Sequence, residues 1–249
     1  MPHTDEPSAL EPQVLEVLRE VSTATLTMVL FKRGIANAAL VGVDRVAGPV
    51  RRIVGEAFTV RFVPARGDLA TPQSYASPGA LRDAIESCPP GAIMMIDGRQ
   101  SELAGTLGDI LIGRLHARGV AGAISDAPVR DIAEVRKVGL PVFASGVCAP
   151  PSISGLSYAG FGDLIGCGGV AVAPGDIIVA DDDGAVVIPR AMAAEVAAAG
   201  AEQERFERYV QLRVRGGATV FGLYPPDDAA VADYERWLDA GEPEAWPSP

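Results

Sequence analysis

The stretch from Ala92 to Ala144 limits the chain to one class of fold. It opens on a continuous apolar run, Ala92 to Ile96, that ends in Asp97-Gly98. Leu107, Ile110, Leu111 and Leu115 then share one helical face, and Gly119 stops that helix. A second apolar strand follows over Val120 to Ser125, then a short helix over Ile132 to Lys137. A third strand, Val142-Phe143-Ala144, comes after Pro141. Short apolar strands alternating with helices predict a layered α/β core.

The flanking segments fit around that core. Val14, Leu15, Leu18 and Val21 follow the helical period, and a second apolar segment runs from Thr25 to Phe31 and stops at Gly34. Val50 to Val63 is rich in β-branched and aromatic residues and predicts a strand ending at Pro64. Residues 65–79 are loop-like, and ALRDAIESC forms a short helix before Pro89-Pro90. Strand segments Gly169 to Ala173 and Ile177 to Ala180 flank a turn at Pro174-Gly175. Asp181-Asp182-Asp183-Gly184 joins IIVA to AVVI as a hairpin. A long helix is expected from about Pro189 to Arg215. Its residues Phe206, Tyr209, Val210, Leu212 and Val214 exceed one face of a solvent-exposed helix, so it packs either on its own sheet or on a neighbour. The tail GEPEAWPSP is expected to be poorly ordered. With no repeat and no internal linker, residues 1–249 read as a single domain, with a core over about 21–190 and a C-terminal helical extension over about 190–240.

Composition removes several function classes. A formal net charge of -11 disfavours a nucleic-acid binder, which needs a basic face to displace counterions. No apolar run reaches the length of a membrane span. Three cysteines, Cys88, Cys148 and Cys167, stand far apart without a C-x-x-C pair, so neither a disulfide framework nor a cysteine-built zinc site is expected. The opening MPHTDEPSALEP lacks the basic head and apolar core of a secretory signal, and a cytoplasmic location is expected. Only His3 and His116 are present, so carboxylates and Arg must carry any catalysis. The P-loop, H-E-x-x-H and G-x-S-x-G signatures are absent. The Asp181–Asp183 run has the form of a turn rather than an EF-hand loop.

One constellation remains, between Ala104 and Asp131. Thr106 and Asp109 have capping-box spacing at the start of the apolar helix. Either this is simply a well-capped helix, or the backbone N–H groups of Gly108 to Leu111 hold a carboxylate, with Gly105 and Gly108 leaving room for it. Arg130-Asp131 follows the next strand. The pair is either a surface ion pair or a ligand group at the strand-end crevice, with a forked donor for an oxo-acid and an oxygen ligand for a hard cation.

Asp109, twenty intervening residues and then Arg130-Asp131 resemble the D-x20-R-D signature of the class II pyruvate aldolases of the RraA-like family. These are the 4-hydroxy-4-methyl-2-oxoglutarate and 4-carboxy-4-hydroxy-2-oxoadipate aldolases. The resemblance runs from about Val21 to Trp237 and includes GEAFTV (Gly55 to Val60), GGVAVAPGDIIVADDDGAVVIP (Gly168 to Pro189) and RGGATVFGLYPP (Arg215 to Pro226). Two positions depart from it. Ala127-Pro128 follows Asp126 where the family usually has Gly first, and Met28 stands where relatives often carry Asp.

The resemblance implies a swivelling-type domain with a central mixed sheet flanked by helices, assembled as a homotrimer or homohexamer. It implies cleavage of a 4-hydroxy-2-oxo acid to pyruvate, with oxaloacetate decarboxylation alongside. In that scheme Asp131 is the ligand of a divalent cation, Mg²⁺ or Mn²⁺, and Arg130 donates to the developing enolate oxygen. The N–H groups of Gly108, Asp109, Ile110 and Leu111 seat the substrate carboxylate, and Asp109 helps to move a proton. Glu204 or Glu207 of a neighbouring subunit is the candidate to complete the site. The family also holds non-catalytic regulators of ribonuclease E, which bind a protein partner instead.

Overall fold

The computed structural model describes residues 10–76 and 81–246. The chain opens with helices α1 (Pro12–Glu20) and α2 (Thr23–Phe31), then strands β1 (Asp44–Ala47) and β2 (Ile53–Pro64). Helices α3 (Pro72–Ala76) and α4 (Leu81–Ser87) precede the alternating run β3 (Ile93–Asp97), α5 (Asp109–Ala117), β4 (Gly122–Ser125), α6 (Ile132–Val138) and β5 (Val142–Ala144). Strands β6 (Leu156–Phe161), β7 (Ile165–Cys167), β8 (Val170–Val172), β9 (Ile177–Asp181) and β10 (Gly184–Ile188) follow. Helices α7 (Ala193–Arg215) and α8 (Asp228–Asp239) close the described chain.

The central sheet has the order β1-β5-β4-β3-β2-β9-β10, with β6 added along β2. Strands β2, β3, β4 and β5 pair in parallel, whereas β1, β6, β9 and β10 join antiparallel, so the sheet is mixed. β2 is its spine. Ile53–Glu56 pair with β9, Ala57–Arg61 with β3, and Val60–Pro64 with β6.

The unbroken apolar character of β3 follows from burial on both faces. Met94 and Ile96 pack with Val60, Phe62, Ile112 and Leu115 beneath the helices. Ile93 and Met95 turn the other way, toward Ile124, Phe143 and Ile178. A third cluster fastens α1, α2 and α7 to the β9–β10 hairpin through Leu18, Leu26, Leu30, Val179, Val186 and Val196. At Gly200 a Cβ would lie 2.7 Å from Val21 Cγ1, so the glycine allows the end of α1 to press onto α7.

The layered α/β architecture and the β9–β10 hairpin agree with the sequence, and the structure adds local detail. The segment expected to be loop over 65–79 contains α3. β8 is followed by the expected turn at Pro174-Gly175 but lies in a different sheet from β9. It folds back on β7 through Gly168-Gly169, both at positive φ, as a separate two-stranded sheet. The N-terminal part of α7 packs on the β9–β10 hairpin through Val196 and Ala197. Phe206, Tyr209, Val210 and Leu212 pack on Tyr234 and Trp237 of α8, and of the five residues singled out only Val214 stays well exposed. The tail is tied down through Trp246, whose indole N–H donates to Asp233 Oδ2 at 3.1 Å. Residues 247–249, and the N-terminal segment through residue 9, lie outside the described residues. Among the described residues no helix is long and apolar enough to cross a membrane.

Asp181, in the expected turn, does more than turn the chain. Its carboxylate accepts from the Thr23 N–H at 3.0 Å, the Thr23 hydroxyl at 2.6 Å, Arg52 Nε at 3.1 Å and the Asp183 N–H at 3.1 Å. It thereby joins the start of α2 to the edge of the sheet. Burial pushes its pKa up, but the Thr23 bonds, Arg52 and the Asp183 amide outweigh that, and the net direction is down. A carboxyl held below its unfolded value contributes stability above the ordinary aspartate range, and that contribution is lost as pH falls through the folded value. Asp181→Asn is expected to cost about 2 kcal/mol at neutral pH. The deficit, measured by urea unfolding, should shrink below about pH 4. An equal deficit at pH 7 and pH 3 would contradict this role.

Candidate active site

Strands β3 and β4 run parallel, and the loops that leave their C-terminal ends build the site. The β3–α5 loop carries Gly98 to Gly108, and the β4–α6 loop carries Asp126 to Asp131. Backbone bonds hold the two together: the Thr106 N–H donates to Pro128 O and the Arg130 N–H to Leu107 O, both at 2.9 Å. A third segment joins them, since the Gly105 N–H donates to Pro150 O and the Cys148 N–H to Val129 O, both at 3.0 Å.

The capping box expected at Thr106 does not form. The N-cap of α5 is Gly108, and no side chain caps the helix. Thr106 lies two residues too early and is buried, with its hydroxyl 3.0 Å from Ser125 Oγ and 3.3 Å from Pro128 O. The first N–H groups of a helix have no partner within it. Those of Gly108, Asp109, Ile110 and Leu111 therefore face the adjoining space without a capping side chain.

That space is a cavity of about 160 Å³, and it brings together Asp109, Arg130 and Asp131 with Gly108, Ile110 and Leu111. All six substrate- and metal-site candidates thus line one cavity. Arg130 Nε donates to Asp131 Oδ2 at 3.1 Å. Asp131 is the N-cap position of α6 but makes no capping bond, and its backbone is left-handed at φ 56°, ψ 36°. For a residue other than glycine such a conformation costs on the order of 1–3 kcal/mol. A Cβ on Gly108 would lie 2.7 Å from Asp131 Oδ2, and one on Gly105 would lie 3.3 Å from Arg130 Cβ. Both glycines keep the space before the Arg-Asp pair open.

Glu204 and Glu207 do not line this cavity within one chain. Glu204 accepts from the Ser22 N–H at 2.8 Å. Burial pushes its pKa up, but the Ser22 and Thr25 hydrogen bonds prevail and hold it low. Glu207 accepts from Gln203 Nε2 at 2.8 Å and the Tyr224 hydroxyl at 3.2 Å.

Sequence reasoning passed over two buried carboxylates beneath the site, Asp97 and Asp126. Each ends an apolar strand, which is the signal that could have marked them. Burial pushes the Asp126 carboxyl up, against the Gly168 and Gly98 amides, and the nearby Asp97 charge adds to the rise.

Residues 20–187 match the family model described as RraA-like, Aldolase/RraA. The chain belongs to the RraA-like family. It is 33% identical over 114 residues to a Halalkalibacterium halodurans protein named "Putative 4-hydroxy-4-methyl-2-oxoglutarate aldolase". That match covers 45% of this chain and 52% of the relative, so the chain spans about half the length of this curated relative. An uncharacterized protein from Pseudomonas syringae superposes with a TM-score of 0.78 at 25% identity, over 90% of this chain and 97% of that one. Streptomyces coelicolor RraAS2, described as an unusual member of the RNase ES inhibitor RraA protein family, superposes with a TM-score of 0.73 at 31% identity. That superposition covers 82% of this chain and 98% of the other.

The departure at Ala127 has a local counterpart in this RraA-like chain. Ala127 is fully buried, and a Cβ on Gly98 would collide with its methyl group. Gly98→Ala is expected to cost roughly 1–3 kcal/mol by overpacking. Part of that cost should disappear in an Ala127→Gly background, giving a coupling above roughly 0.5 kcal/mol in a double-mutant cycle read by denaturant midpoints. Strict additivity would show that the two side chains do not compete for this space.

Proposed function

We propose that this protein is a divalent-metal-dependent class II aldolase that cleaves a 4-hydroxy-2-oxo acid to pyruvate and a second carbonyl product. The observation that carries the reading is the meeting of Arg130, Asp131 and Asp109 with an uncapped helix start in one cavity.

The donor set fits a hard cation. Among the described residues no group of three or more His, Cys, Asp or Glu side chains converges as a metal cage. The half-exposed carboxylate of Asp131, with the glycine space of Gly108 before it, offers one oxygen ligand and leaves room for water. Such a set suits Mg²⁺ or Mn²⁺. When bound, the cation supplies Lewis-acid polarisation of the substrate's 2-oxo group. The N–H groups of Gly108 to Leu111 seat the adjoining carboxylate at the helix start. Arg130, oriented by its Nε bond to Asp131, donates to the oxygen that becomes an enolate as the C3–C4 bond breaks. Asp109 takes the proton of the 4-hydroxyl and returns one to the enolate carbon. Loss of CO₂ from oxaloacetate yields the same enolate, so decarboxylation should accompany aldol cleavage.

The exposed apolar side chain of Ile110 at the mouth, together with exposed Leu103, supports self-association of this face as a homo-oligomer. Glu204 or Glu207 of another copy would be the acid brought to the site. A second reading has an observation of its own, the likeness to the Streptomyces RNase ES inhibitor-family member. In that reading the acidic surface binds a ribonuclease and the cavity is vestigial.

Pyruvate release, coupled to lactate dehydrogenase, separates the two. Oxaloacetate and 4-hydroxy-4-methyl-2-oxoglutarate should both yield pyruvate with Mg²⁺, and EDTA should abolish the signal reversibly. Arg130→Ala should lower kcat by on the order of 10²–10³. Trapping of a pyruvate adduct by borohydride would assign the reaction to a Schiff-base lysine instead. No pyruvate from any of these substrates would favour the regulator.

A further inference from the structure

Asp97 and Asp126 are almost fully buried and take no part in the chemistry above. Both clip the same two segments together. Asp97 Oδ1 accepts from the Arg99 N–H at 3.0 Å, and its Oδ2 from the Gly166 N–H at 3.5 Å. Asp126 Oδ1 accepts from the Gly98 N–H at 2.6 Å, and its Oδ2 from the Gly168 N–H at 3.2 Å. The start of the β3–α5 loop is thus bound to the β7–β8 hairpin by two adjacent carboxylates.

The clips differ in what continues from them. Only Ala127, Pro128 and Val129 separate Asp126 from Arg130, and all three are buried. Ser125 Oγ accepts from the Ala127 N–H at 3.1 Å, Pro128 has a fixed φ, and Pro128 O receives the Thr106 N–H. A connection this short and this well packed transmits a displacement of Asp126 to the guanidinium. The partners of Asp126, the Gln100 amide among them, are all N–H donors. An amide in its place would meet one of them with its own donor, so the position requires a carboxylate.

We infer that Asp126 is a positioning residue for Arg130 and Asp131, its amide bonds setting where the Arg-Asp loop stands over the cavity. This rests on the aldolase reading. A misplacement of about 1 Å at a reacting centre costs on the order of 10²-fold in rate.

The test is Asp126→Asn, assayed for pyruvate release from oxaloacetate with Mg²⁺ beside Asp181→Asn as a control for lost stability. Asp126→Asn should lose at least about tenfold in kcat with KM changed by less than about threefold. Asp181→Asn, at the far edge of the sheet, should keep its kcat while folded. A folded Asp126→Asn that retains more than half of wild-type kcat overturns the inference, as does an equal loss in Asp181→Asn. If Asp126→Asn does not fold, Pro128→Ala decides. It keeps the carbonyl that receives the Thr106 N–H and removes only the φ restraint, so a fall in its kcat supports the inference and full kcat overturns it. A wild-type protein that releases no pyruvate sinks the aldolase reading itself.

Discussion

The parallel pairing of β3 with β4 is the constraint on which the rest of the site depends. Ile93 to Ile96 stand opposite Gly122 to Ser125 in unbroken register. The two strands therefore end level, and the loops that follow them emerge side by side. A slip of one residue would turn Met94 and Ile96 out of the helix-covered core and separate Thr106 from Pro128. Small residues protect the register. A Cβ on Gly122 would lie 2.5 Å from Ile53 Cδ1, and one on Gly55 would collide with the Gly91 carbonyl. Packing of β2 against its neighbours thus places Arg130 and Asp131, although β2 contributes no residue to the cavity.

What the sequence disclosed follows from how far each signal reaches. Burial on both faces makes β3 a run of unbroken apolar residues, and the α5 periodicity repeats over several turns, so the α/β class and the site helix were legible. Three-residue strands such as β7 and β8 carry no periodicity. Their pairing rests on the positive φ of Gly168 and Gly169, the second of which pattern reading assigns to a strand start. The candidate site residues were singled out by their resemblance to the D-x20-R-D signature, and the loops that follow β3 and β4 bring Asp109, Arg130 and Asp131 to one cavity. The partners that hold them were not legible. Thr106 has the spacing of a cap, yet the nearby Ser125 hydroxyl draws it inward. That preference depends on a contact 19 residues away in sequence, beyond any local rule. The same limit applies to residues 241–246, which two indole bonds and the ion pairs of Glu242 join to α7 and α8 although the composition predicts disorder.

Electrostatics divides the molecule into two kinds of carboxylate. Asp181 and Glu204 gain more from donors than they lose to burial, and both hold their protons less tightly than usual. They join the N-terminal helices to the sheet edge and to α7. Asp126 has the opposite balance, since three backbone amides do not offset burial and a neighbouring acid. The loop above Asp126 carries Arg130 and Asp131 to the cavity.

The same reasoning explains why α5 begins without a side-chain cap. A Ser or Asp at position 108 would add on the order of 1 kcal/mol to the helix by bonding its first N–H groups. Its side chain would fill cavity space at the helix start, and its Cβ would press on Asp131 Oδ2. Asp131 shows the complementary sacrifice, since its left-handed backbone makes no cap for α6. Two neighbouring helices therefore start without side-chain caps at one cavity, as α1 and α7 do elsewhere, while Ser22 and Asp227 cap α2 and α8. What sets the cavity apart is that the open start of α5 stands beside Arg130 and Asp131.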